Sequence, residues 1–380
     1  MMYDLMIYGS GLSSKVLALA LSSEGFKILI IRDKPTDLER SNLVTFLSDS
    51  SLLYLSKLFK KTNIFSESED IYEVLCEHIN HRKKSKLEFK DDDGKRLGRI
   101  VPNIIINEML EKEISSRTEY ISFLDNPGVT PSLHSNGVKC LDKNQIEYVA
   151  SLLIYSSSKI KKDLLGNIEF VGKRLDQQAL SISVNVERFK KFVAYQLFTD
   201  EGPLALLPIE NNDASIVWSL KNESNILNLS KTELENYLNN LLSDYVSNIN
   251  IKNHQKYKLN FSYAKKLFYH RCVIIGNIAH NIHPIAGQGF NLSIKDISNL
   301  VSCFQKYKKI GIDIGSEQVL EEFSNKRKFD NFAFSFGTLA MENIFSNQNK
   351  IIRGLTGKSF RFLNKVPLMK QYFIDKATDR

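Results

Sequence analysis

The sequence predicts a mixed α/β fold opening on a βαβ unit, and three observations carry that expectation. A short apolar run, Leu5–Tyr8, leads directly into Gly9-Ser10-Gly11-Leu12-Ser13-Ser14, and Val16 to Leu21 follow with helical spacing. Far along the chain, a strand of buried type at 272–275 ends in Gly276-Asn277 and leads through a proline and Gly287-Gln288-Gly289 into a second helix. Between these turns, residues 178–186 and 214–220 alternate apolar and polar side chains, as half-buried strands do.

In the first unit, Gly9 permits the tight turn out of the strand and Gly11 lets the backbone approach a pyrophosphate. The helix beginning near Leu12 then aims its N-terminus at that anion. The third small position of this pattern is Ser14 rather than glycine; its small side chain is compatible with close helix–strand packing. The spacing reads as dinucleotide binding, with a purely structural turn as the alternative. Gly25 stops the helix, and residues 27–31 form the second strand. An acid that would grip a ribose belongs at the end of that strand. Arg32 stands there and can only donate. Asp33 takes the role if the strand end is shifted by one; otherwise both are solvated charges.

The remaining elements follow in order. Residues 48–59 read as a helix, 71–89 as strand and loop, 91–94 as a turn and 104–114 as an amphipathic helix. Helices are also expected at 239–245, at 294–307 and through much of the chain from Ser316 onward. His280 and His283 lie three apart beside the second glycine turn without a clustered acid or cysteine, so packing or hydrogen bonding is expected of them rather than metal ligation. His78 and His81 are expected on a solvated surface.

Composition bounds the function. At 380 residues, 43% hydrophobic and 25% charged, the chain has the profile of a globular protein of two or three domains rather than of a disordered one. Cys76, Cys140, Cys272 and Cys303 are too dispersed for a metal knuckle and are expected as reduced thiols in a cytoplasmic protein. Asp4 interrupts the opening, so no leader is expected, and no apolar run of about 18 residues is present to span a bilayer. The net charge of +8 is concentrated at the end: residues 350–380 hold eight Lys or Arg against two acids, which is +6. Within it, residues 366–377 set Leu368, Met369, Tyr372 and Phe373 among lysines. That pattern suits an amphipathic helix on anionic lipid, or equally a helix packed on the core with a basic outer face. No recognised nucleic-acid module accompanies the charge.

The segment Gly276-Asn277-Ile278-Ala279-His280-Asn281-Ile282-His283-Pro284-Ile285-Ala286-Gly287-Gln288-Gly289-Phe290-Asn291-Leu292 resembles the signature of FAD-dependent ubiquinone-biosynthesis hydroxylases, which are flavoprotein monooxygenases of the para-hydroxybenzoate hydroxylase fold. Residues 202–208 with Trp218, residues 97–110 and residues 325–336 continue the likeness over nearly the whole chain. The resemblance implies a Rossmann-like FAD-binding domain (about 1–65, 95–170 and 270–300), an interleaved antiparallel-sheet substrate domain (66–94 and 171–269) and a helical C-terminal region (301–380). It places Gly9, Gly11 and Ser14 at the FAD pyrophosphate and Asn277 near the ribityl and phosphate region. It places Pro284 near the reactive face of the flavin, and Gly287, Gln288, Gly289, Phe290 and Asn291 along the isoalloxazine edge. No catalytic side chain is assigned, because in this class the cofactor carries the difficult step. The implied reaction consumes NAD(P)H and O2 and hydroxylates the ring of a hydrophobic, prenylated phenol at the cytoplasmic membrane face, with other ubiquinone-biosynthesis proteins as candidate partners. Three positions depart from the family pattern. Arg32 replaces the ribose acid, Leu43 stands where an arginine is usual, and Tyr155-Ser156-Ser157-Ser158-Lys159 replaces the Asp-Gly motif expected after residues 152–154. These departures leave a degenerate, non-catalytic scaffold subunit as the alternative.

Overall fold

The computed structural model describes residues 1–32, 43–59, 65, 68–79, 85–125, 130–157, 160–281 and 289–346. The chain begins with β1 (Leu5–Tyr8), α1 (Leu12–Ser23), β2 (Ile28–Arg32), β3 (Val44–Ser48) and α2 (Asp49–Leu58). Next come β4 (Glu69–Ile71), β5 (Glu73–His78), β6 (Ser85–Lys90), β7 (Gly98–Pro102), α3 (Asn103–Ser115) and β8 (Ile121–Asp125). A small meander follows, β9 (Ser132–His134), β10 (Gly137–Leu141) and β11 (Glu147–Ala150), then β12 (Leu152–Tyr155) and the single turn α4 (Lys162–Leu165). The middle of the chain is β13 (Phe170–Asn185), β14 (Arg188–Phe189), β15 (Val193–Phe198), β16 (Pro203–Pro208), β17 (Asp213–Lys221), α5 (Lys231–Leu241), β18 (Val246–Ser247) and β19 (Asn250–Ala264). The last elements are β20 (Phe268–Tyr269), β21 (Cys272–Ile274), β22 (His280–Asn281), α6 (Gly289–Lys309) and α7 (Glu317–Ser346).

Two large sheets organise these elements. The first has strand order β20-β21-β12-β1-β2-β8, and its pairings from β21 to β8 are parallel. Strands covered on both faces read as continuous apolar runs, and Leu-Met-Ile-Tyr, Leu-Leu-Ile-Tyr and Cys-Val-Ile are buried throughout. The glycine at the end of α1 does what its position predicts. Gly25 has φ +72, and its N–H donates to Ser22 O, closing the helix. The Arg117 guanidinium then caps two helices at once, donating to Leu19 O at 2.9 Å and to Leu58 O at 2.8 Å.

The second sheet runs β22-β19-β13-β17-β16-β15-β5-β6 and is antiparallel except where β15 meets β5. Its two faces differ in chemistry. Leu180, Ile182, Ile216, Trp218 and Leu220 form one core with Leu234 and Leu238 of α5. The opposite face carries Ser181, Ser183, Ser215 and Ser219, with Ala194, Ala205 and Leu207 packed against Phe46, Ile71, Leu97 and Ile100 of the β3-β7-β4 region. The pleat, with its period of two, therefore sends large aliphatic side chains one way and small or hydroxylated ones the other.

Two local expectations are corrected. The helix expected at 239–245 lies earlier, at Lys231–Leu241, because Ser230 and Glu233 form a capping box that fixes its start. His78 is not on a solvated surface: it is buried in β5, paired in register with Ser85. His81 and residues 350–380, with the amphipathic stretch 366–377, lie outside the described residues. Among the described residues no helix is long and apolar enough to cross a membrane.

Candidate flavin site

The site begins where the first sheet changes direction. From β1 the chain adds β2 and β8 on one side, then returns to lay β12 and β21 on the other. The crevice outside the carboxyl ends of strands at such a switch point is where open α/β sheets hold ligands. Three turns meet there: Gly9 after β1, Ser156 and Ser157 after β12, and Gly276 just beyond β21. A Cβ on Gly9 would lie 3.0 Å from Ser156 C, 3.1 Å from Ser157 N and 3.2 Å from Ser14 Oγ. With φ +134 as well, the position accepts only glycine. A Cβ on Gly276 would lie 3.3 Å from Ser13 Oγ and 3.5 Å from Ser156 Oγ. Gly11 differs, since a Cβ there would meet nothing within 4 Å. Gly11 is also the N-cap of α1, and no side chain caps that end. Open space over uncapped N–H groups at a helix start suits a phosphate. The residues present therefore fit a dinucleotide, and Gly11 leaves open space over the helix start.

Lys15 braces this helix from behind. It is 3% exposed, and its ammonium lies 2.5 Å from Asn107 Oδ1 and 2.5 Å from Glu111 Oε1 on α3. Arg32, at the ribose end, is engaged elsewhere. Its guanidinium forms a two-point pair with Asp125 at the end of β8, one bond measuring 2.6 Å, and lies over the Phe123 ring at 4.2 Å. Hydrogen bonding to that guanidinium holds the Asp125 carboxyl below its ordinary range. Asp33 lies outside the described residues, as do Pro284, Gly287, Gln288 and His283.

The described residues on either side of 282–288 are held in place by neighbouring elements. Asn277 is exposed between the buried Gly276 and Ile278, so it is the outward-facing member of that short 3-10 turn. Gly289 opens α6, and Phe290 and Asn291 are half-buried in its first turn. The Asn291 side chain accepts from Ser48 N at 3.0 Å and donates to Phe46 O at 2.7 Å, tying the start of α6 to β3. Sequence reasoning gave Asn291 only a backbone role and missed this clamp.

Between β22, α6 and α7 lies a buried polar network that sequence reasoning also missed. His280 Nε2 is 2.6 Å from Asp296 Oδ2, and both side chains are fully buried. Arg327 Nε donates to Asp296 Oδ1 at 2.6 Å, and Asn331 Nδ2 donates to the same oxygen at 3.2 Å. Burial alone would push the Asp296 carboxyl up, but the His280 and Arg327 contacts outweigh it and hold the carboxyl below its usual range. The hydrogen-bonding role expected of His280 is observed. Its partners stand 16 and more positions along the chain, where only a lone Asp and a lone Arg signalled them.

Fold and site together form a crevice whose residues fit a dinucleotide. Residues 158–328 match the FAD binding domain family. A ubiquinone hydroxylase of Rhodospirillum rubrum is 29% identical over 174 residues, covering 45% of this chain and 41% of that protein, so the match spans about two fifths of the relative's length. A mitochondrial ubiquinone biosynthesis monooxygenase of Mus musculus is 23% identical over 90% of this chain and 84% of its own. The crystal structure of p-nitrophenol 4-monooxygenase from Pseudomonas putida superimposes with a TM-score of 0.79 at 12% identity, covering 99% of this chain and 98% of that one. The chain is thus similar to ubiquinone-biosynthesis hydroxylases in sequence and to a flavoprotein monooxygenase in fold.

Proposed function

We propose that this protein binds FAD in the crevice beyond β1, β12 and β21, and hydroxylates the ring of a hydrophobic, prenylated phenol in ubiquinone biosynthesis. NAD(P)H serves as the reductant. The observation that carries the reading is the convergence of Gly9 and Gly276 at the sheet's switch point, with Gly11 opening α1 beside them. The names of the relatives support the substrate class.

Bound FAD would supply the redox and oxygen chemistry of the reaction. This chain's residues would bind, orient and exclude water. The N–H groups at the start of α1 would hold the pyrophosphate, with Ser14 packed beneath. Asn277 would contact the ribityl and phosphate region. Pro284 would lie near the reactive face, and residues 287–291 would line the ring edge with backbone N–H groups. The serine-bearing face of the second sheet would form one wall for the phenol. Ser181 Oγ and Ser215 Oγ are buried there without a hydrogen-bond partner. The basic segment 350–380 would bring the protein to an anionic lipid surface, where a prenylated substrate partitions.

The test is a visible absorption spectrum of the purified protein, followed by NADH and NADPH oxidation with and without a prenylated phenol. A flavin spectrum with phenol-stimulated oxidation is expected. A colourless protein that takes up no FAD overturns the reading. Bound flavin with no oxidation of either nucleotide overturns the hydroxylase assignment alone.

A further inference from the structure

A dinucleotide's ribose calls for an acid at the end of β2, and Arg32 stands there instead. Arg32 closes β2 and Asp125 closes β8, and the two are in-register partners on neighbouring parallel strands. Gly9 N–H donates to Ile31 O at 3.0 Å, so Arg32 lies one residue beyond the contact that joins β2 to the first glycine turn. The Arg32–Asp125 pair therefore sits on the same carboxyl edge of the sheet as the crevice, on the side of β1 away from β12.

The guanidinium is fixed on two sides. Nε and Nη2 donate as a fork to the two oxygens of Asp125, the second bond measuring 2.6 Å. The guanidinium carbon lies 4.2 Å from the centroid of the Phe123 ring. Phe123 precedes Asp125 by two positions, so both side chains leave β8 on one face and reach the same group. Phe123 takes one face of the plane and Asp125 takes one edge. What remains is the opposite face and Nη1, which no described residue hydrogen-bonds. The Arg32 side chain is 32% exposed and that of Asp125 66%. An ion pair so exposed adds little stability, so stability alone gives small reason for a fork combined with a ring. A flat cation held level between a ring and a carboxylate does offer its remaining face to another flat ring.

We propose that the Arg32 guanidinium, levelled by Phe123 and Asp125, is the stacking surface for the adenine of bound FAD, and that Asp125 is a positioning residue acting through Arg32. This rests on the FAD reading above. With the pyrophosphate at the start of α1, the adenosine half runs along the sheet edge past the end of β2, and the next group on that edge is the pair at the end of β8. The charges of Arg32 and Asp125 cancel, so the pair favours a ring over a second phosphate.

The experiment titrates full-length, flavin-free protein with FAD and with FMN, which lacks the adenosine, and follows flavin fluorescence. ADP and inorganic pyrophosphate, as competitors of FAD, repeat the comparison with and without the adenosine. The variants are Arg32→Gln, Arg32→Lys, Asp125→Asn and the double variant Arg32→Gln with Asp125→Asn. Stacking predicts that Arg32→Gln weakens FAD and ADP about tenfold, the scale of a partly desolvated cation–π contact, and leaves FMN and pyrophosphate at their wild-type affinities. Arg32→Lys should recover little, because an ammonium keeps the charge but neither the plane nor the fork. Asp125→Asn should weaken FAD less than Arg32→Gln does, and should add nothing in the double variant. Unchanged FAD and ADP affinities in Arg32→Gln overturn the proposal and leave a surface ion pair. Equal weakening of FAD, FMN and pyrophosphate overturns it too, since a general loss of positive charge then explains the effect, and so does full recovery by Arg32→Lys. Losses that add in the double variant overturn the positioning role of Asp125. Each of these results leaves the FAD reading standing, whereas wild-type protein that binds neither FAD nor ADP overturns both.

Discussion

Replacing Asn291 by alanine tests whether the start of α6 is held to β3 by one side chain. The substitution removes two hydrogen bonds, the 3.0 Å bond from Ser48 N and the 2.7 Å bond to Phe46 O. Both partners are backbone groups of buried residues, since Ser48 is 1% and Phe46 7% exposed. Each bond contributes about 1 kcal/mol net, and each stranded buried partner adds roughly 1–3 kcal/mol unless water reaches it. With partial relaxation, a loss of roughly 2–4 kcal/mol is expected. Urea unfolding followed by far-ultraviolet circular dichroism measures it. The one tryptophan, Trp218, is fully buried in β17, so its fluorescence reports separately on the second sheet. Asn291→Asp gives a sharper form of the test. A carboxylate can still accept from Ser48 N–H but meets the Phe46 carbonyl with a second acceptor, so it should lose as much at neutral pH. A loss below about 0.5 kcal/mol in Asn291→Ala, the level of an ordinary surface change, would refute the clamp.

Two further outcomes are expected. Glu322 on α7 accepts from Lys306 and Tyr307 of α6 and from Lys326, and these contacts hold its carboxyl at about 2. A carboxyl depressed on folding stabilises the protein fully above its unfolded value, about 4.3, and loses that contribution as pH falls through the folded value. Glu322→Gln should therefore be less stable than wild type at pH 7, with the gap closing between about pH 4.3 and about 2 in acid titrations of unfolding. All four cysteines are free and buried; burial pushes the Cys76 thiol up to about 12 and those of Cys140 and Cys303 up to about 11. A thiol-reactive disulfide reagent should label the native protein slowly and all four sites rapidly in urea; rapid native labelling of two or more would contradict the burial.

The parts of this protein that were legible in the sequence are local. A strand, two glycines and a helix within residues 5–23 specify their own turn, since each residue's conformation is set by neighbours a few positions away. Likewise the Ser230–Glu233 cap, once seen, explains why α5 starts eight residues before the position that apolar spacing suggested. Aliphatic runs gave the strands but not their neighbours.

What the tertiary structure decided is every pairing that depends on which strand lies beside which. The sequence does not say that β12 sits between β1 and β21, and that order alone brings Ser156 against Gly9 and Gly276. Arg32 reads in sequence as a lost ribose ligand; in the fold it is the partner of Asp125, 93 positions away at the end of the adjacent strand. Asn291 reaches β3 across 245 positions, and Asp296 gathers a histidine and an arginine from two different elements. Side-chain chemistry is written locally, but a buried polar group is satisfied only by whatever the topology delivers to it. A lone Asp, His or Arg looks the same in sequence whether it ends in solvent or at the centre of a network.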